Sequence, residues 1–486
     1  MNSEIRALEP KALWNHFADL NAVPRPSKKE ERVIQFMVDF GNSLSLEVKK
    51  DAIGNVVIIK PATKGMENRK TVVMQSHLDM VHQKNNDTQF DFLSQGIEMK
   101  IEGDWVKAKG TTLGADNGIG VATIMAILSS DTISHPKIEA LFTIDEETGM
   151  TGAQNLDKNI LTGEILLNLD TEEDDEIGIG CAGGVDVTAE QNYTEVETNN
   201  TQIGYQITVK GLEGGHSGIE IHKGLGNANK IMNRLLFETY EKYGLQISSI
   251  EGGSLRNAIP RESVAVVVVN TEKSTTFLSE IKALSELIKA EQKQTDPNMV
   301  VEIDKIETPK KVMNAEVQQK IIKSIYAAHN GVFRMSPEVD GLVEASNNIA
   351  KVKIGEGQLK IDCLTRSSVE SSRDDVANGL KAAFELSGCK VSFGGAYPGW
   401  KPNRDSAILK VLDDTYNKVN GERATIMACH AGLECGIIGE RYPKMDMVSF
   451  GPTILGAHSP DERVSIPSVQ KYWKLVLAVL EEIPVV

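Results

Sequence analysis

Seven residues spread along this 486-residue chain have the types and settings for metal-assisted hydrolysis. His77 and Asp79 stand two apart where an apolar run ends in Ser76-His77-Leu78-Asp79. Side chains at i and i+2 of a strand share a face, so the carboxylate can fix the tautomer of a ligating imidazole. The pair reads equally as a hydrogen-bonded strand end. Asp116 sits in Gly114-Ala115-Asp116-Asn117-Gly118-Ile119-Gly120, ahead of a helix-like run. The turn has no GxGxxG pattern and no Walker lysine, and its acid would repel phosphate. Its two oxygens suit a bridge between ions ~3.5–4 Å apart, or a plain helix N-cap. Asp145-Glu146-Glu147 ends another apolar run. Three adjacent acids repel unless a cation sits among them or water solvates them. Neighbours at a strand end point different ways, so one Glu can bind metal while the other faces the reacting water. Asp170 terminates a fourth run, and His458 is the one histidine of the glycine-rich loop 456–462. A loop histidine alone is as ordinary as a solvated surface residue.

The elements around these residues alternate. Residues 11–20 and 29–43 read as helices, 55–60, 71–75, 138–144 and 164–169 as short strands, and 117–128 as a helix after its glycine turn. Each candidate thus lies beside a strand end or a glycine turn, where α/β sheets place their ligands. The acids from Glu172 to Glu176 read as a solvated turn. Beyond Gly183-Gly184 the texture changes. Strand 203–210, helix 227–243, strands 245–250 and 264–270, helix 276–292 and strand 299–307 give a βαββαβ order, the mark of a smaller α+β sandwich. A similar rhythm over 316–393 suggests an extended or partly duplicated sheet. From Asp405 the α/β texture returns. The expected organisation is one α/β domain, 1–186 and 402–486, split by an insertion at 187–401.

The length agrees with more than one core, since single cores stop growing near ~250–300 residues. Charged residues balance to 52 − 68 = −16, which argues against nucleic acid and anionic membrane as partners. The first 20 residues carry Glu4, Arg6, Glu9 and Asp19 and lack the apolar core of a signal peptide. No run reaches the ~20 apolar residues of a membrane span. Five scattered cysteines with no CxxC pair read as reduced thiols, so a cytoplasmic protein is expected.

Taken together and in order, these motifs resemble the co-catalytic zinc peptidase family that includes tripeptide aminopeptidase, acetylornithine deacetylase and carnosinase. The likeness covers Ser76 to Asp79, Gly114 to Gly120, Asp145 to Gly149, Leu167 to Asp170, Gly214 to Gly218, Arg256 to Pro260 and Gly456 to Glu462. It departs at Leu78, where the family often has Thr or Met. Within the family, the length, the large insertion, Thr111-Thr112-Leu113 before Gly114, and His430-Ala431-Gly432-Leu433-Glu434-Cys435 point to the members that split dipeptides, Xaa-His ones above all.

The resemblance implies a mixed-sheet catalytic domain split by an α+β lid and dimerisation domain with an extended sheet. It implies two divalent ions, zinc first with manganese or cobalt compatible. Asp116 would bridge them, with His77 and Asp170 on one ion and Glu147 and His458 on the other. Asp79 would orient His77, and Glu146 would be the general base. His216, in the lid, would steady the carbonyl oxygen. Asn257 and Arg366 would bind the C-terminal carboxylate of a small peptide. A homodimer is implied as well. Three alternatives stay open: a tripeptide aminopeptidase or N-acyl amino acid deacylase on the same scaffold, an inactive metal-binding scaffold, and a cysteine hydrolase using Cys429 beside His430.

Overall fold

A computed structural model describes residues 2–85 and 87–486 of the chain. They form two compact units with separate apolar cores. The first unit runs to Gly180 and resumes over Pro402–Ala428 and Leu433–Val486; the second is Cys181–Lys401 with Cys429–Gly432.

The first unit is built on a sheet of eight strands. Their order is Glu47–Lys50, Val56–Lys60, Ile138–Thr143, Val72–His77, Ile165–Asn168, Asp446–Ser449, Glu176–Cys181 and Thr425–Cys429. The four from Ile138–Thr143 to Asp446–Ser449 are mutually parallel. Their side chains are nearly all buried, as expected of parallel strands covered on both faces. The helix Ala115–Leu128 is apolar almost all round. Such a helix must be enclosed, and it packs between the strand Val72–His77 and the helix Lys11–Leu20. The fold confirms the mixed α/β class and the strands read from the apolar runs.

The second unit carries one continuous sheet ordered Val300–Ile306, Gln202–Lys210, Ser263–Asn270, Gln246–Gly252, Val343–Gly355, Gln358–Ser367, Gly183–Asn192 and Lys390–Tyr397, with Gly331–Met335 added on Val343–Gly355. The two rhythms seen in the sequence are therefore two halves of a single sheet. The strand Gly183–Asn192 pairs along its whole length with Gln358–Ser367. The change of unit consequently falls ahead of position 186, before a strand whose glycine-led start hid it from periodicity. No helix among the described residues is long and apolar enough to cross a membrane.

Candidate active site

The parallel strands all end on one side of the first sheet, and the candidate residues sit at those ends. His77 closes its strand. Asp145, Glu146 and Glu147 follow the strand Ile138–Thr143, and Asp170 follows Ile165–Asn168. Asp116 stands at the head of the helix Ala115–Leu128, where its backbone (φ −81°, ψ 111°) and that of Asn117 are not yet helical. Gly114 precedes it at φ 69°, and a Cβ there would lie 2.5 Å from the Arg25 guanidinium. The turn therefore requires glycine twice over, for its hand and for its space. His458 reaches in from the loop after Asp446–Ser449.

These residues converge. His77 Nε2 lies 3.1 Å from Asp116 Oδ1 and 3.6 Å from Asp170 Oδ1. His458 Nε2 lies 3.3 Å from the other oxygen of Asp116, Oδ2, and 2.9 Å from Glu147 Oε2. Two ligand triads result, His77–Asp116–Asp170 and Asp116–Glu147–His458, each with donor atoms within 4.8 Å of one another and sharing Asp116. Glu146 also offers an oxygen within 4.8 Å of donor atoms of His77 and Glu147. Four of the five candidate ligands have side chains no more than 11% exposed, and His458 at 56% is the open side of the cluster.

Asp79 binds on two sides. Its Oδ1 lies 3.4 Å from His77 Nδ1 and accepts the Glu146 N–H at 3.0 Å; its Oδ2 accepts the Glu147 N–H at 3.2 Å and the Ser27 hydroxyl at 2.8 Å. One carboxylate therefore orients an imidazole and the backbone carrying both glutamates.

The electrostatics are those of an acid-rich cluster. Burial opposes a proton on His77, but Asp170, Asp116 and Asp79 hold its pKa well above the ordinary histidine value. Hydrogen bonds to Asp116 and Glu147 push His458 up to about 11. Asp116 is held well below the carboxylate range by its two histidines, which outweigh its burial. Glu146 and Asp170 go the other way, raised far by burial and by neighbouring acids against the pull of His77. Glu172 is raised to about 8 by burial, Asp116 and Asp170. Two histidines thus cannot neutralise the acids around them, and Glu147 Oε1 is buried with no hydrogen-bond partner. Carboxylates and imidazoles in this proportion, with an orphaned oxygen, fit divalent cations.

Three residues of this site were given no role in it by the sequence. Glu462 accepts backbone N–H groups from Leu113, Gly114, Ala115 and Asp116 at 2.7 to 3.2 Å. Its acid could be seen, but not that it clamps a turn more than three hundred positions away. Arg25, fully buried, donates to the carbonyls of Leu78, Asp79 and Gly114 at 3.0, 3.0 and 2.6 Å. Burial lowers it only to about 10, so it stays charged among the acids. Glu172 corrects the expectation of a solvated acidic turn: it lies with Asp116, Asp170 and Pro452 in one pocket lining, and its carbonyl accepts the Ile454 N–H at 3.0 Å.

His216, Asn257 and Arg366 belong to the second unit. His216 Nδ1 accepts the N–H groups of Gly218 and Ile219 at 3.2 and 3.1 Å, which places its proton on Nε2. That N–H stands 3.4 Å from Arg366 Nη2, itself a donor. With the proton on Nε2 the two groups are both donors, so this approach is not a hydrogen bond between them. Arg366 is 4% exposed, gives Nη1 to the Tyr397 hydroxyl at 2.8 Å, and has no partner for Nε. The Asn257 carbonyl accepts the Ser217 N–H at 2.8 Å, so its backbone fixes the histidine loop while its side chain is exposed. His430 is buried with Nε2 2.8 Å from Ser346 Oγ, and burial lowers it to about 3. That contact commits the histidine to a serine, which gives the Cys429–His430 reading no support.

Residues 73–482 match the model of peptidase family M20/M25/M40, and the chain belongs to that family. It is a peptidase by fold and lineage. It is 43% identical over 482 residues to the cytosol non-specific dipeptidase of Escherichia coli (strain K12), covering 99% of both chains. It superposes on the aminoacylhistidine dipeptidase from Vibrio alginolyticus with a TM-score of 0.91 at 46% identity, covering 100% of this chain and 99% of that one. The aminopeptidase PepT from Bacillus cereus shares the fold at TM-score 0.58 and 18% identity, over 98% and 99% of the two chains.

Proposed function

We propose that this chain is a cytoplasmic metallo-dipeptidase of broad range, Xaa-His dipeptides included, that works with two divalent ions, zinc by donor chemistry. The observation that carries the reading is Asp116, whose two oxygens each face a different histidine-containing triad. The full-length likeness to two dipeptidases supports the substrate class. His77 and Asp170 would hold one ion, Glu147 and His458 the other, with Asp116 offering one oxygen to each group. Bound there, the ions would supply Lewis acidity and would make a nearby water acidic enough to react near neutral pH.

The protein's own groups do the rest. Glu146, raised well above the usual carboxylate range, is suited to accept a proton from the attacking water and pass it to the leaving amine. Asp79 holds that glutamate's backbone and the His77 ring in register. The His216 Nε2–H is assigned to the carbonyl oxygen as it gains charge, where one lost donor typically costs ~10²–10³ in rate. Arg366, with Asn257, is assigned to the substrate's free carboxylate, since a guanidinium fork matches two oxygens. We assign the second unit the roles of lid and dimer contact.

Assays of the zinc-loaded protein on an Xaa-His dipeptide, other dipeptides, a tripeptide and an N-acetyl amino acid test the reading. Dipeptides should be turned over with the highest kcat/KM and chelator should abolish it. Preference for the tripeptide or the acyl substrate would overturn the assignment.

A further inference from the structure

Beneath the carboxylate cluster runs a row of buried polar side chains that the reaction above does not use. Glu434, at the head of the helix Glu434–Arg441, is fully buried, as are Gln75, Asn168, Thr143 and Ser449. Glu434 Oε2 accepts from Gln75 Nε2 and from Thr143 Oγ1, both at 2.6 Å. Gln75 Oε1 accepts from Asn168 Nδ2 at 2.6 Å, and Asn168 Oδ1 accepts from Ser449 Oγ at 2.5 Å. The row crosses all four parallel strands of the first sheet.

Its members stand just behind the reactive residues. Gln75 is two residues before His77 in one strand and shares its face, and Asn168 ends the strand two residues before Asp170. Thr143 is the ladder neighbour of His77 and leads into Glu146. Parallel strands buried on both faces ordinarily carry Val, Ile and Leu. A polar row costs desolvation, and here Glu434 Oε1 has no hydrogen-bond partner among the described residues. Stability alone does not account for keeping it.

The row also has a direction. Glu434 Oε2 accepts from both neighbours, and a proton on the group would sit on Oε1, so Gln75 turns its amide nitrogen towards Glu434 and its oxygen towards Asn168. That in turn leaves Asn168 Oδ1 for Ser449. We propose that Glu434 is a positioning residue: through this directed row it sets the angles at which the strand ends present His77, Glu146 and Asp170. The inference rests on the roles given to those three residues above.

The test compares Glu434→Ala, Glu434→Gln, Gln75→Glu and the double swap Glu434→Gln/Gln75→Glu in the full chain. Metal content, melting temperature, kcat and KM on a dipeptide, and the visible spectrum of the cobalt-loaded protein are measured for each. Glu434→Ala should keep two ions and its KM, lose kcat by ~10–100-fold as outer partners of metal sites do, and shift the cobalt bands. Glu434→Gln, which still accepts, should stay within about threefold of the parent in kcat. Gln75→Glu sets two acids face to face and should lose most activity; the swap restores a donor–acceptor pair and should recover it at least tenfold. An unchanged kcat and cobalt spectrum in Glu434→Ala, or a swap no better than Gln75→Glu, overturns the proposal. If Glu434→Ala does not fold, the swap pair decides alone. Should the parent protein not cleave dipeptides, the functional reading fails instead, and the cobalt spectra still decide on Glu434.

Discussion

Glu462 Oε1 accepts the backbone N–H of Asp116 at 3.2 Å, although 346 positions separate the two. Glu462 lies four residues after His458, so this contact and its three companions tie the loop of one candidate ligand to the turn of another. Replacing Glu462 with Ala strips the acceptor from four buried amides. We expect a ~10–100-fold loss of affinity for the second ion and a lower melting temperature. Metal titration by calorimetry checks it, and an unaltered isotherm would show the clamp to be dispensable.

Glu146 is assigned proton transfer and Glu147 metal binding, though both lie near His77. Glu146→Ala should lower kcat by at least ~10²–10⁴ with both ions retained, whereas Glu147→Ala should lose metal. Elemental analysis beside steady-state kinetics separates the two. Metal loss in the Glu146 variant would exchange the assignments.

Arg366 is buried, with Nε unpaired and Nη2 facing another donor. Arg366→Ala should raise KM for dipeptides ~30-fold or more, the equivalent of about 2 kcal/mol, without changing metal content. Arg366→Lys should not restore it, since a point charge lacks the fork. Unchanged kinetics in the Ala variant would remove the carboxylate clamp.

The metal-free protein should have its own pH dependence. His458 is raised in the folded state to about 11 from an ordinary 6.5. A group raised on folding contributes stability that is complete below the unfolded value and lost as pH rises through the folded one. The melting temperature of the metal-free protein should therefore fall between pH 7 and 11. In the metal-loaded protein the ions replace these protons, and the decline should be smaller. Parallel thermal scans measure both, and coincident slopes would refute the exchange.

Much of the first unit was legible because buried parallel strands leave apolar runs, and the candidate residues mark where those runs stop: Val72 to His77, Ile138 to Asp145, Ile165 to Asp170. Asp116 was legible because its turn needs glycine at 114. What stayed hidden acts through distance. Arg25 sits between two prolines and gives no sign that it will hold Leu78 and Gly114 together. Glu462 and Glu434 look like ordinary acids until folding brings the 113–116 amides or Gln75 against them. Glu172 belonged to an acidic run whose composition spoke for solvent, and only in the fold does it join Asp116, Asp170 and Pro452 in one pocket lining. The strand Gly183–Asn192 starts with two glycines, which weaken the strand signal that its pairing then supplies.

The central claim is that Asp116 is shared between two cations, and anomalous diffraction from zinc-loaded crystals tests it most directly. Two peaks ~3.5–4 Å apart are expected on either side of the Asp116 carboxylate, one by His77 and Asp170, the other by Glu147 and His458. A single peak, or peaks away from Asp116, would contradict it.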